Sequence, residues 1–324
     1  MEIEFEGIGE NLCKNTPQNM REYARKKSRA MTDKRMPLDE AVKKFVLDEE
    51  YLAIGGFGHI RIPMGTIYEI VRQHKKNLTV SGHTAVQDID ALMAGKCVSG
   101  VEIAYVVGFE LRGLSGVQRR QFESGQVKMT DYTNGTMSYR LRAGVQGIPF
   151  IPVNTILGTD TMRHSPGKVV KCPFTGKKVL LLPSLNPDTL IMHVHRADKY
   201  GNCQIDGISG FAAEMARASK RLIISAEEIV DTDVIRSQPD RTIIPYYLVD
   251  AVVEAPFGSH PGEMAGLYER DEKHINDYAQ ASKDIDQTNK YLDEWIYNIA
   301  DHDEYLKKVG DGQMEKLLIG ENKS

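Results

Sequence analysis

The chain has 324 residues, 41% of them hydrophobic and 27% charged, which excludes a disordered protein and allows a core that needs no metal or disulfide staple. With 41 Lys and Arg against 45 Asp and Glu the formal charge is -4, so no basic excess draws the chain to a nucleic-acid backbone. Cys13, Cys97, Cys172 and Cys203 form no C-x-x-C pair and read as free thiols, no apolar run approaches the roughly 18 residues of a membrane span, and the acidic start at Glu2, Glu4 and Glu6 is unlike a signal peptide. A cytoplasmic protein without membrane or nucleic-acid contacts is expected.

Residues 1–36 carry Arg21, Arg25, Lys26, Lys27, Arg29, Lys34 and Arg35 with few apolar anchors, so they read as a solvated helix, a flexible arm or a partner-binding arm. From Pro37 the pattern alternates. A helix over 39–46 precedes the short apolar strand Tyr51-Leu52-Ala53-Ile54, which stops at Gly55-Gly56. Helices then follow over 64–74, 88–94, 117–123 and 136–145, interleaved with strands over 78–80, 101–107, 127–129 and 150–153. Further strands are expected over 179–182, 189–195, 222–225 and 249–253, with a helix over 211–218. Strands apolar throughout, alternating with helices, predict an α/β domain over 37–265 whose open, mostly parallel sheet has helices on both faces. Beyond it, 266–324 turns charged and predicts a C-terminal extension of one or two amphipathic helices carrying Trp295.

Ligands of such sheets sit at the carboxyl ends of strands, so three loops are candidates. In the first, Gly55, Gly56, Phe57, Gly58 and His59, the glycines can turn backbone N–H groups toward an anion or a developing oxyanion, or form a plain tight turn. The second holds Ser81, Gly82 and His83, and the third Asn154 and Gly158. His193 and His195 share one face of a strand, which suits core or loop-anchoring histidines better than a metal pair, and no metal site is expected. Phosphate-loop, dinucleotide, nucleophile-elbow and zincin motifs are absent from the sequence.

The run Leu52-Ala53-Ile54-Gly55-Gly56-Phe57 with Pro63 resembles the signature of family I coenzyme A transferases, departing from it at Glu49 and Arg61. Arg61, with Tyr68-Glu69-Ile70-Val71-Arg72-Gln73 after it, is similar to the A-chain branch of glutaconate CoA-transferase. Pieces such as Phe150-Ile151-Pro152-Val153, Glu227-Glu228-Ile229 and Asp250-Ala251-Val252-Val253-Glu254-Ala255-Pro256 extend the likeness in order from about Pro37 to Gly310.

The resemblance implies an A-type subunit that moves CoA between an acyl-CoA and a carboxylic acid, dicarboxylic by the Arg61 branch, with CoA as substrate and no permanently bound cofactor. The nucleophilic Glu of such pairs sits in a B-type chain within an S-E-N-G-like motif. This sequence has only Glu123-Ser124-Gly125 and Glu321-Asn322, so no catalytic nucleophile is expected here and a B-type partner is required, in a heterotetramer or hetero-octamer. Gly55 to Gly58 would form the oxyanion loop, and His59, Arg61, Ser81, Gly82, His83, Asn134, Asn154 and Gly158 the substrate-binding set, with Arg61 either pairing a remote carboxylate or capping its own loop. Relatives of the same fold act as CoA-ester ring-cleaving hydrolases or enoyl-CoA decarboxylases. In the hydrolases an A-chain Glu acts where this chain has Asn134, which cannot be a general base. A non-catalytic CoA-binding subunit is the third possibility.

Overall fold

The structure is a computed structural model and describes residues 2–106, 109 and 112–320. Val107, the last residue of one expected strand, and Glu321-Asn322 lie outside the described residues.

The described residues run through thirteen strands: β1 Ile3–Glu6, β2 Tyr51–Ile54, β3 Leu78–Gly82, β4 Val98–Ile103, β5 Lys128–Asp131, β6 Phe150–Val153, β7 Lys168–Lys171, β8 Lys178–Pro183, β9 Thr189–Ala197, β10 Cys203–Gln204, β11 Arg221–Ile229, β12 Thr242–Ile244 and β13 Ala251–Glu254. Seven of them, in the order β13-β11-β9-β2-β3-β4-β5, form one parallel sheet. β10 turns back antiparallel onto the last two residues of β9 and carries β12 on its far side. The expected open, mostly parallel α/β sheet is therefore present.

Side chains alternate between two apolar layers as the period of a strand requires. Leu52 and Ile54 of β2 enter a core shared with the helices Leu38–Phe45, Met64–Arg72 and Gln87–Ala94, while Tyr51 and Ala53 enter a second core with Leu190, Met192, Leu222 and Ile224. Helix Met64–Arg72 is buried along its whole length except Arg72, which explains why its sequence is apolar on more than one side.

Three expectations change. The strand over 150–153 belongs to a separate antiparallel sheet ordered β1-β7-β8-β6, because Pro152 has no N–H to donate and confines β6 to an edge. The charged stretch 1–36 does not stand free: β1 pairs with β7, the helix Pro17–Lys26 follows, Cys13 is buried, and the Lys27 ammonium is inserted among the carbonyls of Lys220 and Leu248 and the Asp250 carboxylate at 2.6 Å. The C-terminal stretch holds the helices Glu272–Ala281, Ile285–Leu292, His302–Val309 and Asp311–Leu317, with Trp295 in the π-turn Asp293–Tyr297, and Leu292, Ile296 and Tyr305 complete the first core. No helix of the described residues is long and apolar enough to cross a membrane.

One buried ion pair ties these parts together. Glu102 of β4 and Arg140 of the helix Asn134–Gln146 lie 3.0 Å apart, both fully buried. The Glu102 carboxylate also accepts the Tyr51 hydroxyl (2.9 Å) and the Leu12 N–H (2.7 Å), while Arg140 donates to the Pro183 carbonyl at 2.9 Å and stacks over Tyr132. Burial works against the Arg140 charge and is the largest single influence on it, but Glu102 together with Tyr132, Tyr51 and Cys13 outweighs it, so that its pKa is raised. Arg140→Met should therefore destabilise the chain by about 3–5 kcal/mol, the cost of stranding a buried carboxylate. Urea unfolding measures it, and a loss near the surface-pair value of about 1 kcal/mol or less would show that the pair is not what joins the layers.

Candidate active site

The loop after β2 is built by its own backbone. Gly55 donates to the Ile191 carbonyl at 2.9 Å, Phe57 to Ile60 at 2.9 Å, and Gly58 to Thr84 at 3.0 Å. Gly56 and His59 are the positions between Gly55 and Arg61 whose N–H finds no acceptor among the described residues. The Gly56 φ of +108° and the 2.9–3.0 Å approach that a Cβ there would make to Ile62 and to the Arg61 carbonyl leave room only for glycine. Of the glycines Gly55, Gly56 and Gly58, only the middle one is thus left with its N–H without an acceptor among the described residues.

Of the buried side-chain atoms without partners, His59 Nδ1, Arg61 Nε, Ser81 Oγ, His83 Nδ1 and both amide atoms of Gln87 belong to β3 and to the segments that leave β2 and β3; Tyr132 Oη, after β5, is the other. Each such atom costs about 1–3 kcal/mol, so their concentration at the carboxyl ends of β2 and β3 marks a place built for something other than this chain's own packing. His59 is 1% exposed, and its Nε2 lies 3.5 Å from the Arg112 guanidinium, which can only donate, so the ring proton belongs on Nδ1. Burial and then Arg112 push its pKa down to about 4. Burial and then Arg61 do the same for His83, also to about 4.

Arg61 is equally hidden, at 1% exposure, with φ +57°. Its guanidinium donates to the carbonyls of His193 (3.3 Å), Ile208 (3.3 Å) and Ser209 (3.2 Å), and burial lowers its pKa to about 10, which leaves it charged. His83 lies between Phe211, stacked at 3.8 Å, and Phe57, tilted at 4.5 Å. Ser81 is buried on β3 and Gly82 ends that strand. Asn134 is exposed at the start of its helix and donates to the Thr84 hydroxyl at 3.0 Å, which joins it to the second loop.

The structure thus brings together Gly55, Gly56, Phe57, Gly58, His59, Arg61, Ser81, Gly82, His83 and Asn134. Asn154 and Gly158 follow β6 in the other sheet, and no hydrogen bond or ring contact among the described residues links them to the first two loops. Sequence reasoning missed residues 205–211, between β10 and the helix Ala212–Ala218, which cover Arg61 and His83; the turn signals Asp206-Gly207 and Ser209-Gly210 mark them. It also missed Arg112, held by Glu272.

His193 and His195 are anchors. His193 Nε2 meets Glu227 Oε1 at 2.6 Å, and His195 accepts from Asp206 N–H through Nδ1 and donates from Nε2 to the Ala265 carbonyl. The Glu227 carboxylate is further occupied by the Tyr268 hydroxyl and the Phe257 N–H. No three His, Cys, Asp or Glu among the described residues stand together as a metal set. A groove of about 860 Å³ on the β13 edge shares no lining residue with these loops, and its lining sets Asp33, Asp39, Glu69, Glu254, Asp301 and Asp303 against Arg35, the wrong balance for an anionic substrate.

An unfolded chain protonates its imidazoles near pH 6.5, whereas His59 and His83 stay neutral to about 4, so the stability they confer is complete above pH 6.5 and is lost as pH falls toward 4. Imidazole resonances of both residues, followed by NMR, should show no titration between pH 8 and pH 5. An inflection near 6.5 would place either ring in open solvent.

Over residues 35–255 the chain matches the family described as coenzyme A transferase. The A-type chain of glutaconate CoA-transferase from Acidaminococcus fermentans is 31% identical over 88% of this chain and 94% of its own, and the A-type chain of 3-oxoadipate CoA-transferase from Pseudomonas knackmussii is 31% identical over 86% and 99%. The crystal structure of the Acidaminococcus fermentans glutaconate coenzyme A-transferase superposes with a TM-score of 0.85 at 31% identity, covering 89% of this chain and 96% of that one. Together with the strand-to-glycine loop and the parallel sheet that carries it, these matches establish that the chain belongs to the coenzyme A transferase family.

Proposed function

We propose that the chain is the A-type subunit of a two-chain CoA-transferase and that its B-type partner supplies the nucleophilic glutamate. The observation that supports this is an incomplete site: the described residues offer a free N–H donor on Gly56, neutral imidazoles and a buried cation, while the partly buried carboxylate near the end of β11, Glu227, already has its oxygens taken by His193, Tyr268 and Phe257. In this reading the partner's carboxylate attacks the thioester carbonyl, and the carbonyl oxygen becomes an oxyanion facing the Gly56 N–H. Collapse expels the CoA thiolate and leaves a mixed anhydride. The thiolate then attacks the glutamyl carbonyl, releasing the first acid and leaving glutamyl-CoA for a second acid to resolve.

The acid class is dicarboxylic, as glutaconate and 3-oxoadipate are, the acids for which the two relatives at 31% identity are named. CoA enters as substrate, A/B pairs associate further into tetramers or octamers, and the assembly works in the cytoplasm. Ring-cleaving hydrolysis fits less well, because the exposed amide of Asn134 stands where a carboxylate base is required.

The assembled pair, incubated with acyl-CoA and then treated with borohydride, should lose activity through reduction of a glutamyl thioester that mass spectrometry locates in the partner and not in this chain. Full transfer by this chain alone would overturn the assignment. Gly56→Val keeps the N–H but cannot keep the backbone where it is, and should lower kcat roughly 10²–10³-fold, the scale of one displaced oxyanion donor, with the fold verified by circular dichroism. Unchanged kcat would remove the loop from the chemistry.

A further inference from the structure

The geometry points to Arg61 as a positioning residue that holds the strap 205–211 over the glycine loop, acting on the reaction through His83 and Phe57 instead of touching the substrate. This rests on the transferase reading above. The strap is fixed where it begins, with Asp206 donating its N–H to His195 Nδ1 at 3.1 Å and pairing its carboxylate with Arg196 and Arg241, and where it ends, with the Ala212 N–H bonded to the Ser209 carbonyl. Between these ends the backbone passes through two left-handed glycines, Gly207 at φ +76° and Gly210 at φ +56°. Among the described residues, Arg61 is the donor that reaches the Ile208 carbonyl, and it shares the Ser209 carbonyl with Ala212.

The consequence is carried onward by packing. Phe211, the last strap residue, lies flat on His83 at 3.8 Å, and Gly210 sits so close that a Cβ there would come within 2.8 Å of His83 Nδ1. His83 also meets Phe57, the neighbour of Gly56, at 4.5 Å. A strap released from Arg61 frees the Phe211 ring, and the Phe57–His83–Phe211 stack loses the wall that sets the loop. Arg61 itself is 1% exposed, and its donors already face carbonyls, so a substrate carboxylate would have to displace the strap to reach it.

The test uses the assembled A/B complex with Arg61→Ala, Phe211→Ala and the double variant; Arg61→Ala keeps a Cβ at the same φ and adds no backbone strain. Hydrogen exchange should show faster exchange at amides 207–210 in Arg61→Ala, with β2 and β9 still protected. Both single variants should lower kcat on the order of 10–100-fold, equally for monocarboxylic and dicarboxylic acceptors with little change in KM, the scale of a slightly misplaced reacting group. The double variant should be no worse than the poorer single one, because both break the same linkage. Additive losses, or a rise in KM confined to dicarboxylic acceptors with strap exchange unchanged, would overturn the proposal and make Arg61 a substrate contact. If Arg61→Ala does not assemble, Phe211→Ala decides alone: a kcat loss without acceptor preference supports the strap, and wild-type kinetics overturns it. A wild-type complex that transfers no CoA would defeat the transferase reading while leaving the exchange result meaningful.

Discussion

The contact between Glu102 and Arg140 is where separate layers of this molecule become one. A fully buried ion pair is stable only when its remaining lone pairs and N–H groups are also satisfied, and here the required partners come from four directions: Tyr51 of β2, Leu12 of the N-terminal segment, Pro183 of β8 and the ring of Tyr132. The pair fixes where the helix Asn134–Gln146 lies against the parallel sheet. That helix begins at Asn134, whose amide reaches the loop after β3, so the electrostatics of the interior set one wall of the site.

The site itself is electrically unusual. Two imidazoles beside the reacting loop are kept neutral by burial and by the guanidinium groups of Arg112 and Arg61, and the second of these cations is itself buried against carbonyl dipoles. Carbonyls can orient a cation but cannot cancel its charge, so the edge remains attractive to anions without presenting an acid that would protonate a leaving thiolate. The arrangement suits a reaction whose partners are carboxylates and a thiolate and whose charge passes between oxygen and sulfur.

Most of the parallel sheet was legible in the sequence, because buried strands such as Tyr51-Leu52-Ala53-Ile54 leave an apolar mark that glycines punctuate. The antiparallel sheet was not, although Pro152 carried the clue: an imino acid inside an apolar run belongs at an edge. Lys27 misled in the opposite sense, since one residue in a run of cations looks solvated, and nothing local reveals that its ammonium ends among two carbonyls and Asp250. At the candidate site, the glycine loop and the two histidines His59 and His83 are marked by the sequence, and the structure sets His83 against Phe57 of that loop. The strap could not be named in advance, because Arg61 holds it through the main-chain oxygens of Ile208 and Ser209, and every residue type has that oxygen.

β1 gives the N-terminal segment a further meaning. Its four residues occupy the edge of β7, and a few positions later Leu12 caps the Glu102 carboxylate. A polypeptide trimmed to the family-matching residues 35–255 would bare the β7 edge as a row of unpaired amides and carbonyls, leave a buried carboxylate short of a donor, and strip Leu292, Ile296 and Tyr305 from the core. The portion that looks sufficient by homology is therefore not a folding unit by its contacts: the flanking residues supply sheet pairing, a carboxylate donor and core side chains that the matched stretch cannot replace.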